Sequence, residues 1–146
     1  MTRFRDLTKY EYFDETVVSL VGEPHYVHYR HQPTDRVLNV GWLNFERFDQ
    51  GDVPADFVAR LDEYATDRVN QTRGSQSCPI CGLDNPSLGS AEIHVQAPDG
   101  TIYAAPALVA HYVSAHRYRP PKAFIDAVLT GRNMADIVRD AQSLSN

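Results

Sequence analysis

Apolar residues follow short, changing rhythms along this chain rather than one sustained period. β-Branched and aromatic runs at Thr16 to Val21, Tyr26 to Arg30 and Val37 to Leu43 predict strands, with Gly22 and Pro24 breaking the first two apart. Ahead of them, Phe4, Tyr10, Tyr12 and Phe13 offer aromatic groups to a core, and Phe45 to Gly51 reads as a loop. From Pro54 the spacing changes to four and three. Phe57, Leu61 and Tyr64, with Val58, Ala65 and Val69 beside them, predict an amphipathic helix of about 15 residues. Asp56, Arg60, Asp62, Glu63 and Asp67 lie on its wet side, and Pro54 stands near the first helical position, which tolerates proline. Gln71 to Ser77 is a polar link around Gly74.

Alternation returns at Ala91 to Ala97, which sets Ile93 and Val95 on one side and Glu92, His94 and Gln96 on the other. Pro98-Asp99-Gly100 is a turn and Thr101-Ile102-Tyr103 a return, so residues 91–104 read as a hairpin. Pro106 opens a helix to about His116 carrying Leu108, Val109, Tyr112 and Val113. Pro120-Pro121 ends it and starts another, with Phe124, Ile125, Val128 and Leu129 as its buried stripe and Gly131 as its end. Asn133 is placed to cap a last helix through Ile137 and Val138. The expected fold is α+β. Residues 1–73 form a β-rich portion with one helix; residues 74–146 form a zinc-finger-like portion with a cysteine knuckle, a β-hairpin and two or three C-terminal helices. The two are expected to make one compact domain.

Composition narrows the function classes. The 146 residues suffice for one core, and 42% hydrophobic with 23% charged residues is the balance of an ordinary globular protein. No apolar run approaches the roughly 20 residues that cross a bilayer, and Met1 to Asp14 lacks the apolar stretch of a signal peptide. A cytoplasmic protein without a membrane role is expected. The net charge is −5, with 9 Lys/Arg against 13 Asp/Glu in residues 1–73 and 5 against 6 in residues 74–146. Neither half has the basic field that drives sequence-independent nucleic-acid binding.

The two cysteines, Cys78 and Cys81, stand at CxxC spacing, too close for a disulfide that adds much stability. Zinc takes four ligands in a tetrahedron from thiolates and imidazoles. A CxxC turn brings two sulfurs to one ion, and Gly82 tolerates the left-handed backbone such a turn often needs. His111 and His116, on the far half of a helix after the hairpin, complete a four-ligand set for one structural zinc ion. Five residues turn an ideal helix by about 500°, leaving the two imidazoles about 140° apart. They share a metal only if the helix tightens, unwinds or ends near His116, and Pro120-Pro121 favour an ending there. Two other readings compete: a redox dithiol, against which the turn-rich residues Leu83 to Ser90 weigh, and two buried cysteines beside unrelated histidines.

Cys78-Pro79-Ile80-Cys81-Gly82, Ala91-Glu92-Ile93-His94-Val95, Tyr103-Ala104-Ala105-Pro106, His111-Tyr112-Val113, His116-Arg117-Tyr118, Pro120-Pro121 and Phe124 together resemble a family of uncharacterised small bacterial proteins. Asp6-Leu7-Thr8-x-Tyr10 and Leu38-Asn39-Val40-Gly41-Trp42-Leu43 extend the resemblance over most of the chain. It implies a bacterial origin and a zinc-finger-like C-terminal region, and it brings no activity, substrate or partner.

The remaining chemistry is weaker. His25 and His31 would fall on one face of a strand and His28 on the other, which suits an edge strand better than a metal site. Arg117, Arg119, Lys122 and Arg132 form a basic cluster around Tyr118. Beside a zinc-bound helix, Arg117, Arg119 and Lys122 can contact phosphates, with Tyr118 as a stacking platform; cations at a helix C-terminus are the plainer account. Glu92 and His94 read as solvated strand residues, and Trp42 as core. The leading expectation is a non-catalytic module that binds another protein. A nucleic-acid-binding zinc-finger protein comes second and a zinc-dependent hydrolase or nuclease third, since four protein ligands leave no zinc position for water.

Overall fold

The computed structural model describes residues 6–9, 17–20, 28–30, 36–43, 48–66, 69, 75–78, 81, 87–89 and 91–145. In chain order the elements are β1 (Val17–Ser19), β2 (His28–Arg30), β3 (Val37–Asn39), α1 (Ala55–Ala65), β4 (Ser75–Ser77), β5 (Ser87–Gly89), β6 (Glu92–Gln96), β7 (Ile102–Pro106), α2 (Val109–His116), α3 (Lys122–Thr130), β8 (Arg132–Asn133) and α4 (Met134–Ser145). The fold is α+β.

The hairpin of β6 and β7 is the centre of it, paired from Glu92↔Pro106 to Gln96↔Ile102. At its turn Asp99 accepts the Thr101 N–H, which holds the Asp99 carboxyl below its ordinary pKa. β3 lies parallel to β7 and β8 antiparallel to β6, giving the order β3-β7-β6-β8. The parallel pair needs a long crossover, and α1 and the cysteine knuckle are contained in it. The sheet edges are extended by single bridges, Lys9 to Leu38 on one side and Val69 to Glu92 on the other, and Val69 also bridges Leu20.

Both sheet faces are covered, so the polar side predicted for β6 does not face water. Ile93, Val95, Tyr103 and Ala105 pack with Phe57, Leu61 and Tyr64 of α1, Tyr112 of α2 and Phe124 of α3. On the other face Ile102 and Ala104 meet Trp42, Leu20, Val69 and the Met134, Ala135 and Val138 side of α4. Trp42 is core, as expected, and donates its indole N–H to the Ala104 carbonyl. Glu92 and His94 are buried too, and their side chains are hydrogen-bonded to each other at 2.7 Å. A polar residue in alternation marks a solvated face only where nothing covers it; here the pairing offsets the desolvation of each partner.

Other differences have local causes. The helix from Pro54 is 11 residues long: at its cap the Thr66 N–H turns back to the Glu63 carbonyl, and Val69, expected beside the helix, bridges Glu92 and Leu20 instead. The return strand runs on to Pro106, which pairs with Glu92 as the last strand residue, so α2 starts at Val109. The strand predicted over Val37 to Leu43 stops at Asn39; Gly41 then takes a positive φ of 77°. Ser75–Ser77 and Ser87–Gly89, expected as link and loop, are a strand pair. Backbone pairing needs no particular side chain, so serine and glycine content misleads there. Asn133 caps α4 as expected, its side-chain oxygen accepting the Ala135 N–H. The aromatic residues Phe4, Tyr10, Tyr12 and Phe13, and His25 and His31, lie outside the described residues.

α1 is tied to the end of α3 by Arg60, whose guanidinium donates to the Val128 carbonyl at 2.7 Å and lies over the Tyr64 ring. A cation there also meets the negative end of the α3 dipole. Where α3 stops, Gly131 lets the chain turn into β8. A Cβ at that point would lie 2.1 Å from the Gln96 carbonyl oxygen and 2.6 Å from that of Ala127, both backbone atoms. Gly131→Ala is therefore expected to lower stability by about 3 kcal/mol, seen as a lower urea midpoint at unchanged slope.

Candidate metal centre

β4 and β5 pair from Ser75↔Gly89 to Ser77↔Ser87 and hold Cys78 at the mouth of their connection, with Cys81 further round it. Cys78 is fully buried and joins the same apolar cluster as Tyr112; Cys81 is half-buried. The other two donors come from α2, and the end of that helix decides whether they converge.

α2 ends at His116. Arg117 follows in the left-handed conformation (φ 56°), and its N–H reaches back to the carbonyl of Tyr112, five residues earlier. The Tyr118 N–H reaches the same carbonyl at 3.1 Å. A turn closed five residues back is wider than an α-turn, so residues five apart approach one face. His111 and His116 do so, with ring centroids 5.0 Å apart. This is the unwinding that the five-residue spacing demanded.

The four donor atoms are Cys78 Sγ, Cys81 Sγ and one ring nitrogen each from His111 and His116, and all lie within 4.8 Å of one another. His116 Nε2 is 3.3 Å from each sulfur, and His111 Nε2 is 3.2 Å from Cys81 Sγ. A tetrahedral ion with bonds of about 2.3 Å to sulfur and about 2.0–2.1 Å to nitrogen sets such S···N pairs about 3.5 Å apart. These three sulfur–nitrogen separations lie close to that value, and the group can hold a metal ion. Burial and the neighbouring His116 hold His111 below its ordinary pKa, which favours the neutral form that a ligand takes. Burial and then the two cysteine sulfurs push the Tyr112 phenol up, which keeps it protonated behind the site.

A bracket holds the His116 end of α2 in place. Gln50 donates its side-chain N–H to the His116 carbonyl at 2.9 Å, Gly51 N–H donates to Arg117, and Arg119 N–H donates to Asp49. Tyr118 donates its hydroxyl to Asp6 at 2.7 Å, and the other Asp6 oxygen accepts the Gly41 N–H at 2.9 Å. Gly41 has no room for a side chain: a Cβ would stand 2.7 Å from Val109. Asp6 and Gln50 were not singled out as site residues from sequence. Asp6 and Gly41 do fall in the two upstream segments of the family pattern, and those segments meet here, Leu7 N–H donating to Asn39 and Asn39 N–H to Thr8.

The proposed nucleic-acid surface changes. Tyr118 is 1% exposed, and burial and the Asp6 carboxylate push its phenol well up. Its ring packs edge-on against Phe48 and offers no face to a base. Arg117, Arg119 and Lys122 are exposed, and Arg117 pairs with Asp52 at 3.0 Å. Arg132 pairs with Asp140.

The chain belongs to the family described as a domain of unknown function, DUF7919, which matches residues 2–129. The match takes in all four donors and both segments of the bracket, and stops before β8 and α4. No curated protein and no solved structure matches the chain.

Two outcomes test this local account. Arg117→Val, which forces a β-branched residue into the left-handed region, is expected to cost about 1–2 kcal/mol. Arg117→Gly should stay within about 1 kcal/mol of the parent, both read by urea denaturation. Tyr118→Phe removes a hydrogen bond to a carboxylate and is expected to cost about 1.5–2 kcal/mol while leaving metal content per chain unchanged.

Proposed function

We propose that the chain is a zinc-stabilised, non-catalytic interaction module that binds another protein. The observation behind this reading is the closed donor set: two sulfurs and two imidazole nitrogens converging from a strand-pair knuckle and a helix end. Two soft thiolates with two imidazoles suit zinc among the common divalent ions, and four protein ligands fill its tetrahedron. A zinc ion so enclosed has no position for a substrate water, so its work is structural. Apparent zinc-binding energies in small domains run to about 10–16 kcal/mol, comparable to the whole stability of a typical domain, about 5–15 kcal/mol. Loss of zinc is therefore expected to destabilise residues 78–120, beginning at the cysteine knuckle and the His116 end of α2. The acidic balance of residues 1–73 favours a protein partner over a polyanion. The reading is completed by a bacterial, cytoplasmic setting; no helix of the described residues is long and apolar enough to cross a membrane.

Nucleic-acid binding is the second reading, and exposed Arg117, Arg119 and Lys122 are what favours it. Burial of Tyr118 takes away the stacking group that it relied on.

The test is affinity isolation of the tagged chain from its native host, run beside His116→Ala. A stoichiometric protein complex with the parent, lost in the variant, is the expected result. Tight low-salt binding of the purified chain to duplex or single-stranded nucleic acid, falling steeply with salt and abolished by Arg117→Ala with Arg119→Ala, would overturn it in favour of the second reading.

A further inference from the structure

The two thiolates of the metal centre are not equivalent. Cys78 is fully buried among apolar residues, while Cys81 and both histidines are half-buried. Of the two cysteines, Cys81 is therefore the one open to a small solute arriving from water. Behind Cys81, with its donor atom in the same four-atom group, stands a second sulfur that is shielded from solvent. The site thus pairs a reachable nucleophile with a sheltered resolving thiol.

We propose that Cys81 is an oxidative modification site, and that hydrogen peroxide acting there discharges the metal. The inference rests on the zinc reading above. Cys81 sulfur attacks one peroxide oxygen; the O–O bond breaks, hydroxide leaves, and Cys81 becomes a sulfenic acid. Cys78 sulfur then attacks the Cys81 sulfur, the S–O bond breaks, and a second hydroxide leaves. The two sulfurs lose two electrons to the peroxide, a Cys78–Cys81 disulfide forms, and two protons from solvent convert the hydroxides to water. A disulfide gives up both anionic ligands at once. His111 and His116 alone do not hold a zinc ion against its loss to solvent.

The structure also places the consequence. His116 is the last residue of α2, and the backbone from His116 to Arg119 is held by Gln50, Gly51 and Asp49, with Tyr118 locked to Asp6. Releasing the metal frees the helix end from the knuckle and leaves it held by this bracket alone. Oxidation is expected to loosen residues 48–52 and 6–9 before it loosens the sheet of β6 and β7, whose pairing involves none of the four donors.

The experiment uses the purified full chain with its bound metal, treated with hydrogen peroxide and followed by a zinc-sensitive dye, intact mass and hydrogen exchange. The expected result is one zinc released per disulfide, a mass lower by two hydrogens, faster exchange at residues 48–52, and recovery with dithiothreitol and zinc. A maleimide applied to the untreated protein should modify Cys81 before Cys78, read by fragment mass spectrometry. Zinc retained under peroxide, release without a disulfide, or labelling of Cys78 first would overturn the proposal while leaving the zinc reading intact. A chain purified without zinc would instead defeat the reading on which it rests.

Discussion

Everything around the candidate metal centre turns on the end of one helix. Two histidines five residues apart cannot face the same ion from an ideal α-helix, so the last turn of α2 has to open. It does so through the left-handed Arg117 and two N–H groups that return to a single carbonyl, that of Tyr112. An opened helix end exposes backbone groups that need partners. The chain supplies them from far away in sequence: Gln50 and Gly51 to the carbonyls of His116 and Arg117, and Asp49 to the N–H of Arg119. The carboxylate of Asp6 reaches past Gly41 to the hydroxyl of Tyr118. The local irregularity and the long-range bracket are one device.

The fold is arranged so that this device has a rigid base. β3 joins β7 in parallel, which binds residues before α1 directly to the hairpin that precedes α2. Between them α1, fixed by Arg60 to the end of α3, closes one sheet face with the same cluster that takes in Cys78 and Tyr112. The opposite face is sealed by Trp42 and α4 around the Glu92–His94 pair. That pair reads as solvated strand residues in the sequence, yet its place in the interior and its 2.7 Å hydrogen bond suit a structural role in a two-sided sheet.

The convergence of Cys78, Cys81, His111 and His116, the hairpin, the Pro54 and Pro121 helix starts and the Asn133 cap were legible because each rests on local rules. These are ligand identity and spacing, alternation, and the backbone limits of proline and asparagine. What was not legible was non-local. Parallel pairing of β3 leaves no mark in the sequence of β3 itself. Whether Glu92 and His94 face water depends on α4, some 40 residues away. Tyr118 sits among arginines in sequence and only the fold turns it inward toward Asp6. Composition failed at β4 and β5, where serine and glycine suggested a loop but the knuckle needs two paired strands to aim its sulfurs.

The most direct test of the central claim is X-ray absorption at the zinc edge, together with elemental analysis, on the purified chain. The account predicts one zinc per chain with two sulfur neighbours at about 2.3 Å and two nitrogen neighbours at about 2.0–2.1 Å. A chain without zinc, or a zinc whose shell contains a solvent oxygen in place of one imidazole, would contradict it.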